Sequence, residues 1–366
     1  MTATLSDVAR HAGVSAATAS RVLNDRRYVS AAARARVEAA VRELDYLPNR
    51  AARDLSTSRT ATIGFVVHHA QYPAGGGGTF GARVLAGASR ALRQRGYDLL
   101  FAAVDDDAIV RLASLPPIRA DRSDGLLLLG PAVPHAAIHA LRERHRPVVI
   151  VDNRLPGDPV DAVLADNAPA VDAVTRHLIE VHGHRRIVCL AGPAAWPSSV
   201  ERAAGFRRAM ATHRLPARVI RARETTIRDG ERAAGALADD PPEAIVAIND
   251  AMAIGAMHRL RGLRARRPAV VGFDDIAWAE MTVPPLTTVS VDADALGTAA
   301  AERLLARMAA ARAGTDLAAT VLRIPARVHI RQSCGCPAGN TSDEATDASS
   351  AEAGSFRQRR REAPDS

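Results

Sequence analysis

The chain has 366 residues, 47% of them hydrophobic, enough for two or three domains with cores of their own. It contains no run of about 18 apolar residues that would span a membrane, and Asp7, Arg10 and His11 interrupt the window where a signal peptide would keep its apolar stretch. The expectation is a cytoplasmic protein with no membrane partner. The formal charge of +8 suits a polyanion, although all 48 basic residues are arginine, so part of that bias is compositional.

The first segment, Leu5-Ser-Asp-Val-Ala-Arg-His-Ala-Gly13-Val14 followed by Ser15-Ala-Ala-Thr-Ala-Ser-Arg21-Val-Leu-Asn24, reads as two short helices joined by a tight turn. Thr4 and Asp7 have capping-box spacing. Val8, Ala9 and Ala12 make one apolar face, and Gly13 supplies the backbone freedom of the turn. Ser15 suits an N-cap, with Ala19, Val22 and Leu23 as the buried stripe of the second helix. Ser30 caps a third helix, in which Val37, Val41 and Leu44 repeat at helical spacing. This is a helix-turn-helix in outline.

Thr18, Ser20, Arg21 and Asn24 lie off the buried face and offer donors for phosphates and base edges. Among them Arg21 has the reach for a bidentate contact to guanine. Residues 1–60 hold ten arginines against six acids, 10 − 6 = +4, which suits nucleic acid.

Leu44-Asp-Tyr46-Leu-Pro48-Asn49-Arg50-Ala-Ala-Arg53-Asp-Leu55 follows directly. With Leu5-Ser-Asp-Val-Ala, Ala12-Gly-Val-Ser15, Ser20-Arg-Val-Leu-Asn24, Val29-Ser30 and Tyr46-Leu-Pro-Asn49, the segment resembles the signature of the lactose-repressor (LacI/GalR) family. The resemblance implies a hinge helix opened by Pro48-Asn49 that orders in the minor groove. It makes Leu55 an apolar wedge that kinks the operator centre. It places Tyr28, Ser30, Tyr46 and Asn49 at phosphates, and Leu5, Ser15 and Arg53 with the DNA-contacting set. Ala16 and Ala17 begin the recognition helix and offer only methyl contacts, for instance to thymine. One such head reads a half-site, so a homodimer on a palindromic operator is implied.

From Thr60 apolar runs alternate with amphipathic helices. Residues 61–67, 97–104, 125–129, 147–151, 161–165, 187–191, 218–221, 244–248, 269–273 and 287–291 read as short buried strands. Strands alternating with helices imply parallel sheets covered on both faces, and ten strands suggest two subdomains of five.

The family resemblance continues here through Asp124-Gly-Leu-Leu-Leu, Pro147-Val-Val-Ile-Val-Asp152, Glu201-Arg202-Ala-Ala-Gly205-Phe206, Asn249-Asp250-Ala-Met-Ala-Ile-Gly255 and Val271-Gly-Phe-Asp274-Asp275. It implies a periplasmic-binding-protein-like pair of doubly wound α/β subdomains, with crossings near 161–166, 289–293 and 322–327. The division then runs 1–47 for the DNA-binding domain, 48–59 for the hinge and 60–336 for the ligand-binding and dimerisation core. Within the core, 60–162 with 292–324 form one subdomain and 163–291 with 325–336 the other. The polar stretch 337–366 is a tail of disordered composition.

Asp152, Asn249 and Asp274 follow separate strands, where open α/β sheets collect ligands. With Arg202 they offer the donors and acceptors for a polar or polyhydroxylated effector, and the family's effector contacts map onto these four positions, with Phe80 as an aromatic wall. For Asp152 a solvated strand-end carboxylate, and for Asp274 a helix cap, remain alternatives. Thr225 stands where relatives often carry an aromatic residue, which weakens stacking on a sugar face.

Cys189 is isolated, and Cys334 with Cys336 forms no disulfide framework or usual zinc spacing. His182-Gly-His184 lacks further ligands at recognisable spacing. No metal or cofactor is expected. A solute-binding protein has no use for residues 1–58, and an enzyme would need a nucleophile–base pair or metal set that the cleft residues do not provide. The expectation is a ligand-responsive transcriptional repressor.

Overall fold

A computed structural model of the chain describes residues 3–23, 29–46, 60–68, 80–105, 115, 118, 122–130, 133–143, 147–155, 157, 160–262 and 267–338. It divides into two units, residues 1–61 and 62–366.

The first unit holds α1 (Leu5–His11), α2 (Ala16–Leu23) and α3 (Ala31–Glu43). Polar caps set all three starts. Thr4 and Asp7 form a reciprocal capping box, and two hydrogen bonds from Thr4 hold Asp7 below the usual carboxylate range. The Ser15 hydroxyl accepts from the Thr18 backbone at 3.1 Å, and Ser30 accepts from Ala33 at 3.3 Å. Gly13 turns between α1 and α2 with φ +61°, a left-handed conformation open to glycine at little cost. The core is small and alanine-rich: Val8, Ala9, Ala12, Ala19, Val22, Val37 and Ala40, closed by Tyr46.

The second unit begins with β1 (Thr62–His68), α4 (Phe80–Gln94), β2 (Asp98–Val104), β3 (Gly125–Leu129), α5 (His135–Arg142), β4 (Val148–Val151) and β5 (Asp161–Ala165). It continues through α6 (Asn167–Glu180), β6 (Ile187–Ala191), α7 (Pro197–Thr212), β7 (Arg218–Arg221), α8 (Ile227–Gly235), β8 (Ala244–Ala247), α9 (Asp250–Leu260) and β9 (Ala269–Val271). The last elements are β10 (Thr288–Val291), α10 (Ala293–Ala313), β11 (Val321–Ile324) and β12 (Ala326–His329).

One sheet has the order β11-β5-β4-β3-β1-β2 and the other β7-β6-β8-β9, both parallel throughout. Central strands such as β3 and β4 are buried along their whole length, as sheets covered on both faces require.

The sets are not five and five. β10 leaves the second sheet to pair antiparallel with β12, and β11 adds a sixth strand to the first sheet. β11 and β12 alternate exposed and less exposed residues, so neither carries the continuous buried run of β3, β4 or β6. β5 pairs within the first sheet through Ala165, so the first crossing falls at Asp166. The others fall at Asp292 and Pro325.

α10 packs along α4 so closely that a methyl on Gly297 would run into the Val84 carbonyl. Through Arg303 and Arg307 α10 also meets Asp161, whose side chain is fully buried. Asp161 accepts from Arg303 Nε at 2.7 Å and from the Thr320 backbone at 2.9 Å, and it also pairs with Arg307. Asp161→Ala would take the shared carboxylate from two partly buried guanidinium groups, leaving them their bonds to the Ala318 and Leu317 carbonyls. It is expected to cost about 3–5 kcal/mol, seen as a fall in Tm of roughly 6–20 °C by calorimetry. An unchanged melt would mean the cluster is solvated.

Candidate functional site

The exposed start of α2 presents Ser15, Ala16 and Ala17, with Arg21 exposed one turn on and Thr18 and Ser20 half-buried beside them. The two alanines leave the helix surface open for close approach, and Arg21 supplies its long donor. Leu5 packs against the head's core, and Tyr46 is buried within it at 8% exposed. The Tyr46 ring is therefore a packing group of the head. Ser30 is spent on capping α3. Asn24, Tyr28, Asn49, Arg53 and Leu55 lie outside the described residues.

In the second unit three of the expected ligand residues meet at the carboxyl ends of the strands. Asp152 follows β4 with φ +55°, and Asp274 follows β9 with φ +104°. Side chains rarely adopt such backbones, and strain of this kind concentrates at functional sites. Arg202 reaches in from α7, 6% exposed. Its Nε donates to Asn167 Oδ1 at 2.8 Å and its Nη1 to the Ile248 carbonyl at 2.6 Å, while Nη1 lies 3.3 Å from Asp274. The guanidinium also stacks 3.6 Å from the Phe273 ring centre, a cation–π contact strengthened by desolvation.

Two carboxylates from opposite sheets thus share one buried guanidinium. Burial pushes Asp152 up to about 7, against the pull of Arg202 and a Ser198 hydrogen bond and with a further push from Asp274 and Glu201. Burial also raises Asp274, opposed by Arg202 and Arg83. Arg83 on α4 was missed in the sequence; one helical turn beyond Phe80 was the available signal. Phe80 itself opens α4 and packs on the core.

Asn249 is differently employed. Its Oδ1 caps α9 by accepting from Met252, and its Nδ2 donates to the Thr225 carbonyl, both at 2.9 Å. One amide proton and one lone pair remain for a ligand. Asp250 ties the loop after β9 to β10, accepting from the Ile276 backbone at 2.9 Å and from Thr288 at 2.5 Å.

A second group escaped sequence reading because it is assembled from three distant elements. Arg323 on β11 donates to Glu201 on α7 at 2.8 Å, and Asn167 at the start of α6 donates to the same carboxylate at 3.0 Å. Glu201 resists its burial and stays below the usual range through these bonds. Asn167 thereby links this hinge pair to Arg202.

A cavity of about 550 Å³ lies elsewhere, among α9, Pro268–Val270, Thr282–Pro284 and Gln332–Gly335. It sits by the amino ends of β6 and β9, whereas parallel sheets take ligands at the carboxyl ends.

Residues 4–49 match the model of bacterial regulatory proteins of the lacI family, and residues 60–332 match that of periplasmic binding proteins and the sugar-binding domain of the LacI family. The chain belongs to the LacI family. It is 35% identical to the ribose operon repressor of Escherichia coli over 84% of this chain and 93% of that one. It is 32% identical to the transcriptional repressor PurR of Photobacterium profundum over 84% and 92%. Among solved structures, the lac repressor dimer bound to operator and the anti-inducer ONPF superposes with a TM-score of 0.77 at 26% identity, covering 91% of this chain and 99% of that one. The regulator CelR in complex with cellobiose gives 0.64 at 30%, covering 90% and 99%. As a LacI-family member the chain is a DNA-binding transcriptional regulator controlled by a small molecule, and not an enzyme. Among the described residues no helix is long and apolar enough to cross a membrane.

Because the folded Asp152 carboxyl titrates near 7 instead of 3.8, the folded state holds its proton more tightly than the unfolded state. Its contribution is complete below about pH 4 and is lost as pH rises through 7. The stability of Asp152→Asn minus that of the unsubstituted chain is expected to grow across that window by up to about 1.4 kcal/mol per pH unit. Paired denaturant melts between pH 4 and 8 check this; a difference independent of pH refutes it.

Proposed function

We propose that the chain is a homodimeric repressor that holds a palindromic operator through α2 and releases it when a small polyhydroxylated ligand occupies the cleft at Asp152, Arg202 and Asp274. The observation that carries this reading is the shared guanidinium. Two raised carboxyls facing one arginine across the sheets supply both donors and acceptors, the set that vicinal hydroxyls satisfy. Asn249 offers its remaining amide proton and lone pair, and Phe80 a flank. The names of the relatives, a ribose repressor and a cellobiose-bound regulator, favour a carbohydrate-like effector.

In this reading residues 1–47 bind DNA, 48–59 form the hinge with Asn49, Arg53 and Leu55 at the minor groove, and residues 60–336 sense the ligand and dimerise, all in the cytoplasm. The ligand acts by binding one arrangement of the two sheets better than the other. Arg323 and Glu201 bridge the crossing at which such an arrangement changes.

Selection from a random duplex pool is expected to enrich a palindrome, with Arg21→Ala weakening its binding on the order of 10–100-fold. Calorimetry with a panel of pentoses, hexoses and purine bases is expected to find a sugar that binds the unsubstituted chain and lowers operator affinity. Asp152→Asn should weaken that sugar. A purine that tightens operator binding would replace the carbohydrate reading with a corepressor.

A further inference from the structure

Four side chains scattered in the sequence converge at the end of α6. His177 stands in its last turn, and His182 follows two residues past its end; this is a His-x4-His spacing. Cys334 and Cys336 arrive from the segment after β12. Their ligand atoms all lie within 4.8 Å of one another. The Nε2 atoms of His177 and His182 are 3.3 Å apart, and Cys336 Sγ is 3.3 Å from the second and 3.6 Å from the first.

A tetrahedral zinc with Zn–N near 2.0–2.1 Å and Zn–S near 2.3 Å has N···N edges of about 3.4 Å and N···S edges of about 3.6 Å. Pairwise hydrogen bonds account for any single edge here. They do not account for three mutually close atoms with a fourth thiol beside them; a common centre does.

We propose that His177, His182, Cys334 and Cys336 form a closed tetrahedral site for a zinc-class divalent cation, which staples the segment after β12 to α6. Thiols and imidazoles select such an ion over magnesium or calcium. Four protein ligands leave no open position, which marks a structural site and not a catalytic one.

The backbone is shaped for it. Gly335, between the cysteines, has φ +107°, a backbone conformation that side chains rarely adopt, and it lies against the His182 ring. Gly183 turns the chain after His182 with φ +70°. Cys334 is 0% and Cys336 8% exposed, and the 550 Å³ cavity, lined in part by His182, Cys334 and Gly335, opens alongside as a route in.

Such a site departs from the sequence expectation of no metal. The two ligand pairs are far apart in the chain, and Cys-x-Cys is tighter than the common Cys-x2–4-Cys.

The full-length chain, expressed with zinc and purified under reducing conditions without chelator, is expected to carry about one zinc per chain by plasma mass spectrometry. After chelation, cobalt(II) should restore the intense visible bands of tetrahedral coordination and thiolate charge transfer, saturating at one equivalent. Chelation should also lower Tm. The double variant Cys334→Ser/Cys336→Ser is expected to lose the ion; if it fails to fold, the cobalt spectrum of the unsubstituted chain decides alone. A metal-free chain whose cobalt spectrum stays pale and octahedral overturns the proposal. So does a stoichiometric ion that survives in the folded double variant.

Discussion

The buried guanidinium of Arg202 is the constraint around which the second unit is arranged. A charge taken out of water is tolerated only when its donors are matched. Here the matching partners are Asn167, the Ile248 carbonyl, Asp274 and the face of Phe273. These come from the first turn of α6, the end of β8 and the loop after β9. One side chain therefore fixes the relative positions of three strand or helix ends where they border the cleft. What remains incompletely matched is the acid side: burial raises both Asp152 and Asp274, and the one arginine between them opposes that rise without cancelling it. A site left short of donors is a site prepared to accept them from a ligand.

The same logic separates residues that bind from residues that hold. Asn249 was expected at the ligand together with Arg202, yet most of its bonding capacity is spent on α9 and Thr225. A strand-end asparagine is equally well suited to capping the helix that follows, and spacing alone does not distinguish the two roles. Asp250 is similarly spent on Ile276 and Thr288. The groups least committed to the fold are the two acids, with Arg202, Ser198 and Arg83 beside them, while Asn249 keeps one amide proton and one lone pair.

What the sequence disclosed follows the range of each interaction. Caps, turns and apolar stripes act within a few residues, and Thr4, Ser15, Ser30 and Gly13 were all legible. So were the ten strands, most of them apolar along their length. β11 and β12 were not, because their residues half-face solvent and their pairing partners, β5 and β10, are remote. That the Tyr46 ring packs with Val8 and Val37 was not legible, because the cluster forms only when three helices meet. The Arg323–Glu201 pair and the histidine–cysteine cluster were invisible for the same reason: each exists only after distant segments meet.

α6 connects these findings physically. It is a continuous helix of 14 residues, and its first residue, Asn167, holds both Arg202 and Glu201. His177 lies ten positions on, roughly 15 Å along the axis. A helix held at one end by an ion and at the other by a guanidinium has little freedom to tilt or slide. When the cleft changes occupancy, the strain falls instead on the short connections at Asp166, Asp292 and Pro325. The bridge between Arg323 and Glu201 is the contact that spans two of those sides. Coupling of this kind requires an element with two arrangements. At the crossing beside Arg323, the Arg323–Glu201 bridge is the contact that any change in the angle between the sheets has to break or carry along.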